Sequence, residues 1–69
     1  MSLADALISL AKSQRRIAGK YATELRTGLY PWRAENQRAE IVRLRAAARE
    51  HLEWARRERQ WTDRREAAE

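Results

Sequence analysis

Gly28-Leu29-Tyr30-Pro31 holds one of the two glycines and the single proline of this 69-residue chain. Glycine supplies the left-handed backbone that ends a helix, and proline suits the first turn of the next, where its missing N–H costs nothing. The stretch reads as a corner, and both segments leading away from it read as helix.

Upstream, Ser2 and Asp5 have capping-box spacing, with Asp replacing the usual Glu. Leu3, Leu7, Leu10, Ile17, Tyr21 and Leu25 then fall within about 80° of arc at 100° per residue, with Ala11, Ala18 and Ala22 beside them. The opposite face carries Asp5, Ser9, Lys12, Arg16, Thr23 and Thr27. This predicts an amphipathic helix over residues 3–27, with Leu29 folding back on Tyr21 or Leu25. Gly19 lies on its polar face and reads as a flex point. A helix-turn-helix there fails because Arg15 stands where a small residue is required.

Downstream, nothing breaks a second helix over residues 32–66. Glu35, Glu40, Glu53 and many arginines at three- or four-residue spacing support it. Its apolar seam is Ile41, Leu44, Ala48, Leu52 and Ala55. A short corner between long helices makes them antiparallel neighbours. The fold class is all-α: one domain over residues 1–69, an antiparallel two-helix hairpin with corner 28–31 and a longer second helix. Pairing by seam sets residues opposite one another when their numbers add up to about 62, so Leu7 meets Ala55 and Tyr21 meets Ile41. Gln14 interrupts the first seam opposite Ala48 and reads as a polar residue that fixes register or reaches a partner backbone. His51, the one histidine, sits at the edge of the second seam.

A second sector is left over. Trp54 and Trp61 stand seven residues apart, about 90° from the first seam, roughly aligned with Trp32. A two-helix hairpin has a single internal seam, so this sector asks for another surface, either a partner or a second copy that completes a bundle. Trp32, Trp54 and Trp61, with Ile8 and Val42, are the candidate protein-interface residues, since tryptophan is enriched among interface anchors. The alternative is that the indoles lean over the hairpin edge and cover Leu3, Leu7 or Ile8.

Charge offers a competing reading. The chain carries 15 Lys or Arg against 10 Asp or Glu, a formal charge of +5. Arg38, Arg45, Arg49 and Arg56 share a sector of the second helix, and Lys12, Arg15, Arg16 and Lys20 crowd the first. These eight are candidate contacts for phosphates or for an acidic partner. Against nucleic acid, acids recur along the second helix almost every turn, which equally describes a solvated surface laced with ion pairs.

Other classes find little support. With no cysteine there is no disulfide or thiolate chemistry, and a single histidine gives no transition-metal ligand set. No glycine-rich phosphate loop or Ser-His-acid set is present, so an enzyme, a cofactor and a small-molecule substrate are not expected. No segment approaches the ~20 apolar residues of a membrane span. The stripe from Leu3 to Ala11 resembles a membrane-surface helix, but the hairpin seam already uses it. An acid near the start, in place of a secretory signal's basic residues, points to the cytoplasm, or to a virion if phage-encoded.

The leading expectation is therefore a non-enzymatic structural or adaptor subunit docking on a larger protein assembly through its Trp seam. A phage virion or other mobile-element complex fits by size and compactness alone. A small basic nucleic-acid-binding accessory protein is the second reading, and a self-assembling helical homo-oligomer the third.

Overall fold

The computed structural model describes residues 2–68 and is the expected hairpin: α1 (Leu3–Thr27), a 3-10 turn (Pro31–Arg33) and α2 (Ala34–Ala68), packed side by side in an elongated body of 57 × 17 × 12 Å. Each boundary has a local cause. Ser2 accepts the Asp5 backbone N–H at 3.1 Å, closing the first turn of α1. The Asp5 carboxyl is held below the usual carboxylate range, chiefly by its hydrogen bonds to Ser2 and then by Arg59. That interaction therefore favours the folded chain above the unfolded pKa and is lost as pH falls through the folded one.

At the other end, Gly28 adopts φ 66° and donates to the Leu25 carbonyl, while Leu29 donates to the Glu24 carbonyl. This paired closure is a Schellman motif, and it turns the chain toward Pro31. Leu29 does not fold back as expected; it stays largely exposed. Pro31 begins the 3-10 turn rather than α2 itself, and the Arg33 N–H bonds to the Tyr30 carbonyl at 2.9 Å. Tyr30 fills the corner, with the Trp32 ring edge-on at 5.7 Å and the Arg33 guanidinium over its face at 4.7 Å.

The two glycines make opposite demands. Gly19 is exposed inside α1, and an added Cβ meets nothing within 4 Å. Gly19→Ala is expected to raise stability by roughly 0.5–1 kcal/mol. Gly28→Ala forces a side chain into the left-handed region and is expected to cost about 1 kcal/mol. Thermal melts followed by circular dichroism should therefore shift in opposite directions; shifts of the same sign would contradict this corner.

The helix–helix seam is built on alanine. Ala11 and Ala48 are wholly buried, and Ala18 and Ala55 nearly so. Around these small residues lie Ala4, Leu7 and Ile41, and Ile8 packs against the Ala4–Leu7–Ala55 cluster. In α1 the alanines repeat every seven residues at Ala4, Ala11 and Ala18, each followed three residues on by Leu7, Gln14 or Tyr21. In α2 the same rhythm runs Ile41, Ala48, Ala55, with Leu44 and His51 between. A side chain of one methyl lets axes approach toward the close end of the usual range, about 8 Å.

Polar contacts confirm the register. Gln37 donates to Glu24 at 2.6 Å, Gln14 bonds to His51 at 2.9 Å, and Arg59 reaches Asp5 at 3.4 Å. Together with Leu7 on Ala55, these contacts join residues whose numbers add up to about 61 to 65.

One expectation about α1 needs correcting. Leu3, Leu10 and Ile17 do not line the seam but are exposed beside it. The buried face is rotated toward the alanines, because close approach at Ala4, Ala11 and Ala18 leaves no room between the helices for larger residues.

Candidate functional site

An antiparallel pair with this register has two long edges where α1 and α2 meet solvent side by side. The edge of Leu3, Leu10 and Ile17 is flanked on α2 by Ala47, Trp54 and Trp61. The register sets Ile17 across from Ala47, Leu10 across from Trp54 and Leu3 across from Trp61. The five large side chains are each between 42% and 61% exposed. They form one apolar strip with a seven-residue rhythm on both helices. The same edge continues toward the corner through the Gln37–Glu24 hydrogen bond and the Glu40–Arg43 ion pair.

Trp54 is pre-set for burial. Its indole N–H donates to Glu58 at 3.1 Å, one turn along the same helix. The ring therefore has no orphan donor if a partner covers it. Trp61 lines a shallow groove with Glu58, Thr62, Arg65 and Glu66 toward the free end of α2.

The structure divides the predicted interface residues among three places. Trp54 and Trp61 share the apolar edge. Trp32 is 75% exposed but stands at the hairpin tip, about 33 Å of helix rise from Trp54. Ile8 and Val42 belong to the opposite edge: Ile8 partly buried on the hairpin's own core, Val42 exposed among arginines. The residues missing from the expected set are Leu3, Leu10 and Ile17, and their signal was the same seven-residue spacing as the tryptophans.

The opposite edge is basic. Lys12, Arg15, Arg38, Arg45, Arg49 and Arg56 come together there, all exposed. Arg26 joins them, although in the sequence it stands alone near the end of α1, apart from the other basic residues of that helix. Arg16 falls on the back of α1, and Lys20 lies toward the apolar edge. Among the described residues the ion pairs are Arg43–Glu40, Arg57–Glu53 and Arg59–Asp5, so none of these seven basic-edge cations is neutralised by one. Most acids at the level of this cluster face elsewhere. Glu24 and Glu40 lie on the apolar edge, Glu50 points away from this edge, and Glu53, at the margin beside Arg56, pairs with Arg57.

Within the seam, Gln14 Oε1 and His51 Nδ1 satisfy one another, which accounts for both polar interruptions at once. Gln37 is buried with its Nε2 on Glu24 and its Oε1 unpartnered. No group of three or more His, Cys, Asp or Glu residues is placed to hold a metal ion among the described residues. No helix there is long and apolar enough to cross a membrane. No family model, curated protein or solved structure matches this chain.

Proposed function

We propose that this chain is a non-enzymatic helical docking subunit that lays its apolar edge on an apolar helical face of a larger protein and so completes a bundle. One observation carries the reading: Leu3, Leu10, Ile17, Trp54 and Trp61 lie exposed on a single edge with seven-residue spacing on both helices. A helix laid in the groove between α1 and α2 would meet knobs from both sides, the geometry of helix-in-groove recognition. The two indoles are the anchors, and Leu3, Leu10 and Ile17 supply the surrounding apolar wall. By size alone, a virion or mobile-element complex is the kind of assembly it suits.

The test uses the tagged chain recovered from cells of its source and weighed intact in its native assembly. Trp54→Ala with Trp61→Ala should release the partner while leaving helicity almost unchanged. Trp32→Ala, at the tip, should retain it. A large loss of helicity in the double variant would make the indoles core residues of the hairpin and sink the reading. Light scattering on the isolated chain supplies the other arm. A monomer, or a chain that aggregates without its host, fits a docking subunit, whereas a defined dimer would turn the strip into a self-interface.

A further inference from the structure

The second edge carries a function of its own: we infer that Lys12, Arg15, Arg26, Arg38, Arg45, Arg49 and Arg56 form a binding surface for the phosphate backbone of double-stranded nucleic acid. Acids recur every turn along α2, yet around the helix most of them are sorted away from this edge, and Glu53 at its margin is held by Arg57. The result is seven exposed cations, none engaged in an ion pair among the described residues; the one acid beside them at their level, Glu53, lies next to Arg56 and is paired with Arg57. Asp5, Glu35 and Asp63 on this side lie beyond the ends of the cluster.

Three features select a duplex among polyanions. First, six of the seven are arginine, whose planar fork matches two phosphate oxygens at once. Second, the surface is straight. Arg38 to Arg56 spans about 27 Å of helix at 1.5 Å per residue. Duplex DNA presents one charge per roughly 1.7 Å of axis, so many phosphates lie within reach. Third, the edge has no aromatic side chain. Tyr30 and Trp32 are at the tip, Tyr21 is in the seam, and Trp54 and Trp61 are on the other edge. Single-strand binders stack bases on aromatics, and this edge offers none.

The same composition argues against the other polyanions. Insertion into a lipid surface needs an apolar face. Within the cluster only Val42 is an exposed large apolar residue. An acidic peptide would find apolar anchorage only at one end of the cluster, in the shallow groove of Ile8, Leu52 and Ala55, which Arg56, Arg59 and Asp63 flank.

Binding of this kind ignores sequence and weakens steeply with salt, because each neutralised phosphate releases a counterion. If four arginines each meet one phosphate, affinity should fall about 100-fold between 50 and 200 mM salt. The experiment is fluorescence anisotropy of the full chain with two labelled duplexes of unrelated sequence, about 20 base pairs each. Equal affinity for both is expected, with weaker binding to the matching single strands.

Arg45→Gln with Arg49→Gln should lower affinity and reduce the slope of log affinity against log salt by about 1.8. Arg43→Gln with Arg57→Gln removes the same charge from elsewhere on α2 and should leave the slope within a few tenths of the parent value. Circular dichroism checks that both double variants keep the hairpin. The inference is overturned if both weaken binding alike, if no duplex binds at low salt, or if the slope is near zero. It is equally overturned if poly-glutamate or anionic vesicles bind more tightly than duplex, which would assign the edge to an acidic protein or a membrane surface.

Discussion

Ala48→Leu is expected to lower the melting temperature of the hairpin by on the order of 10 °C, at about 2 kcal/mol and 4–8 °C per kcal/mol for a domain of this size. Ala48 is 0% exposed and sits midway along the seam, in the layer of Gln14. Leucine adds three carbons where the facing helix leaves none. Either the axes part, which strips contact from Ala11 and Ala55 as well, or the new side chain takes a strained rotamer. So few large side chains are buried that the core supplies no more than about 3–5 kcal/mol, and 2 kcal/mol is a large share of that. Ala39→Leu, exposed on the back of α2, is the control and should stay within about 0.5 kcal/mol of the parent. Melts in which the two variants coincide would mean that the helices do not approach at Ala48.

The alanines also explain which parts of this molecule could be read from its sequence. The corner was legible because Gly28 and Pro31 have specific backbone preferences, and the Schellman closure uses Gly28 in that role. The seam of α2 was legible because its larger members, Ile41 and Leu44, lie in phase with Ala48 and Ala55. In α1 the phases separate. Leu3, Leu10 and Ile17 dominate any count of apolar periodicity, while Ala4, Ala11 and Ala18 determine how near α2 can come. Packing follows the small residues, so the large ones are displaced to the edge and become the candidate docking surface.

Trp32 departs from the tryptophan sector for a different reason. Helical spacing does not extend back through Pro31–Arg33, because a 3-10 turn rotates the chain faster per residue than an α-helix. Gln14 and His51 were each read alone, although facing polar residues in two seams are a pairing signal when the register is known. The basic edge is hidden in linear order, which interleaves Glu40, Glu50 and Glu53 with the arginines; the helix turns Glu40 and Glu50 onto other faces and leaves Glu53 at the margin, paired with Arg57.

The division of α1 into a buried alanine face and an exposed leucine edge predicts opposite fates for two neighbouring leucines. Leu7 is 5% exposed and packs with Ala4 and Ala55, whereas Leu10 is 45% exposed on the apolar edge. Leu7→Ala removes buried methyl groups and leaves a void that rigid helix backbones fill poorly, so a loss of about 2–5 kcal/mol is expected. That is comparable to the whole stability of a domain this small, and the variant should be largely unfolded at room temperature in the absence of a partner. Leu10→Ala surrenders surface already half in water and gains helix propensity, so its cost should stay below about 1 kcal/mol.

Under the proposed function the order reverses in the assembly. Leu10→Ala should weaken partner binding with the hairpin intact, while the partner should restore part of the helicity that Leu7→Ala loses, because ligation of the folded state stabilises it by mass action. Urea titrations of the free chains measure the first contrast, and recovery of each variant in the native assembly measures the second. If Leu7→Ala and Leu10→Ala destabilise the free hairpin equally, the leucines share one seam. In that case the apolar strip is part of the core and no face for a partner remains on that edge.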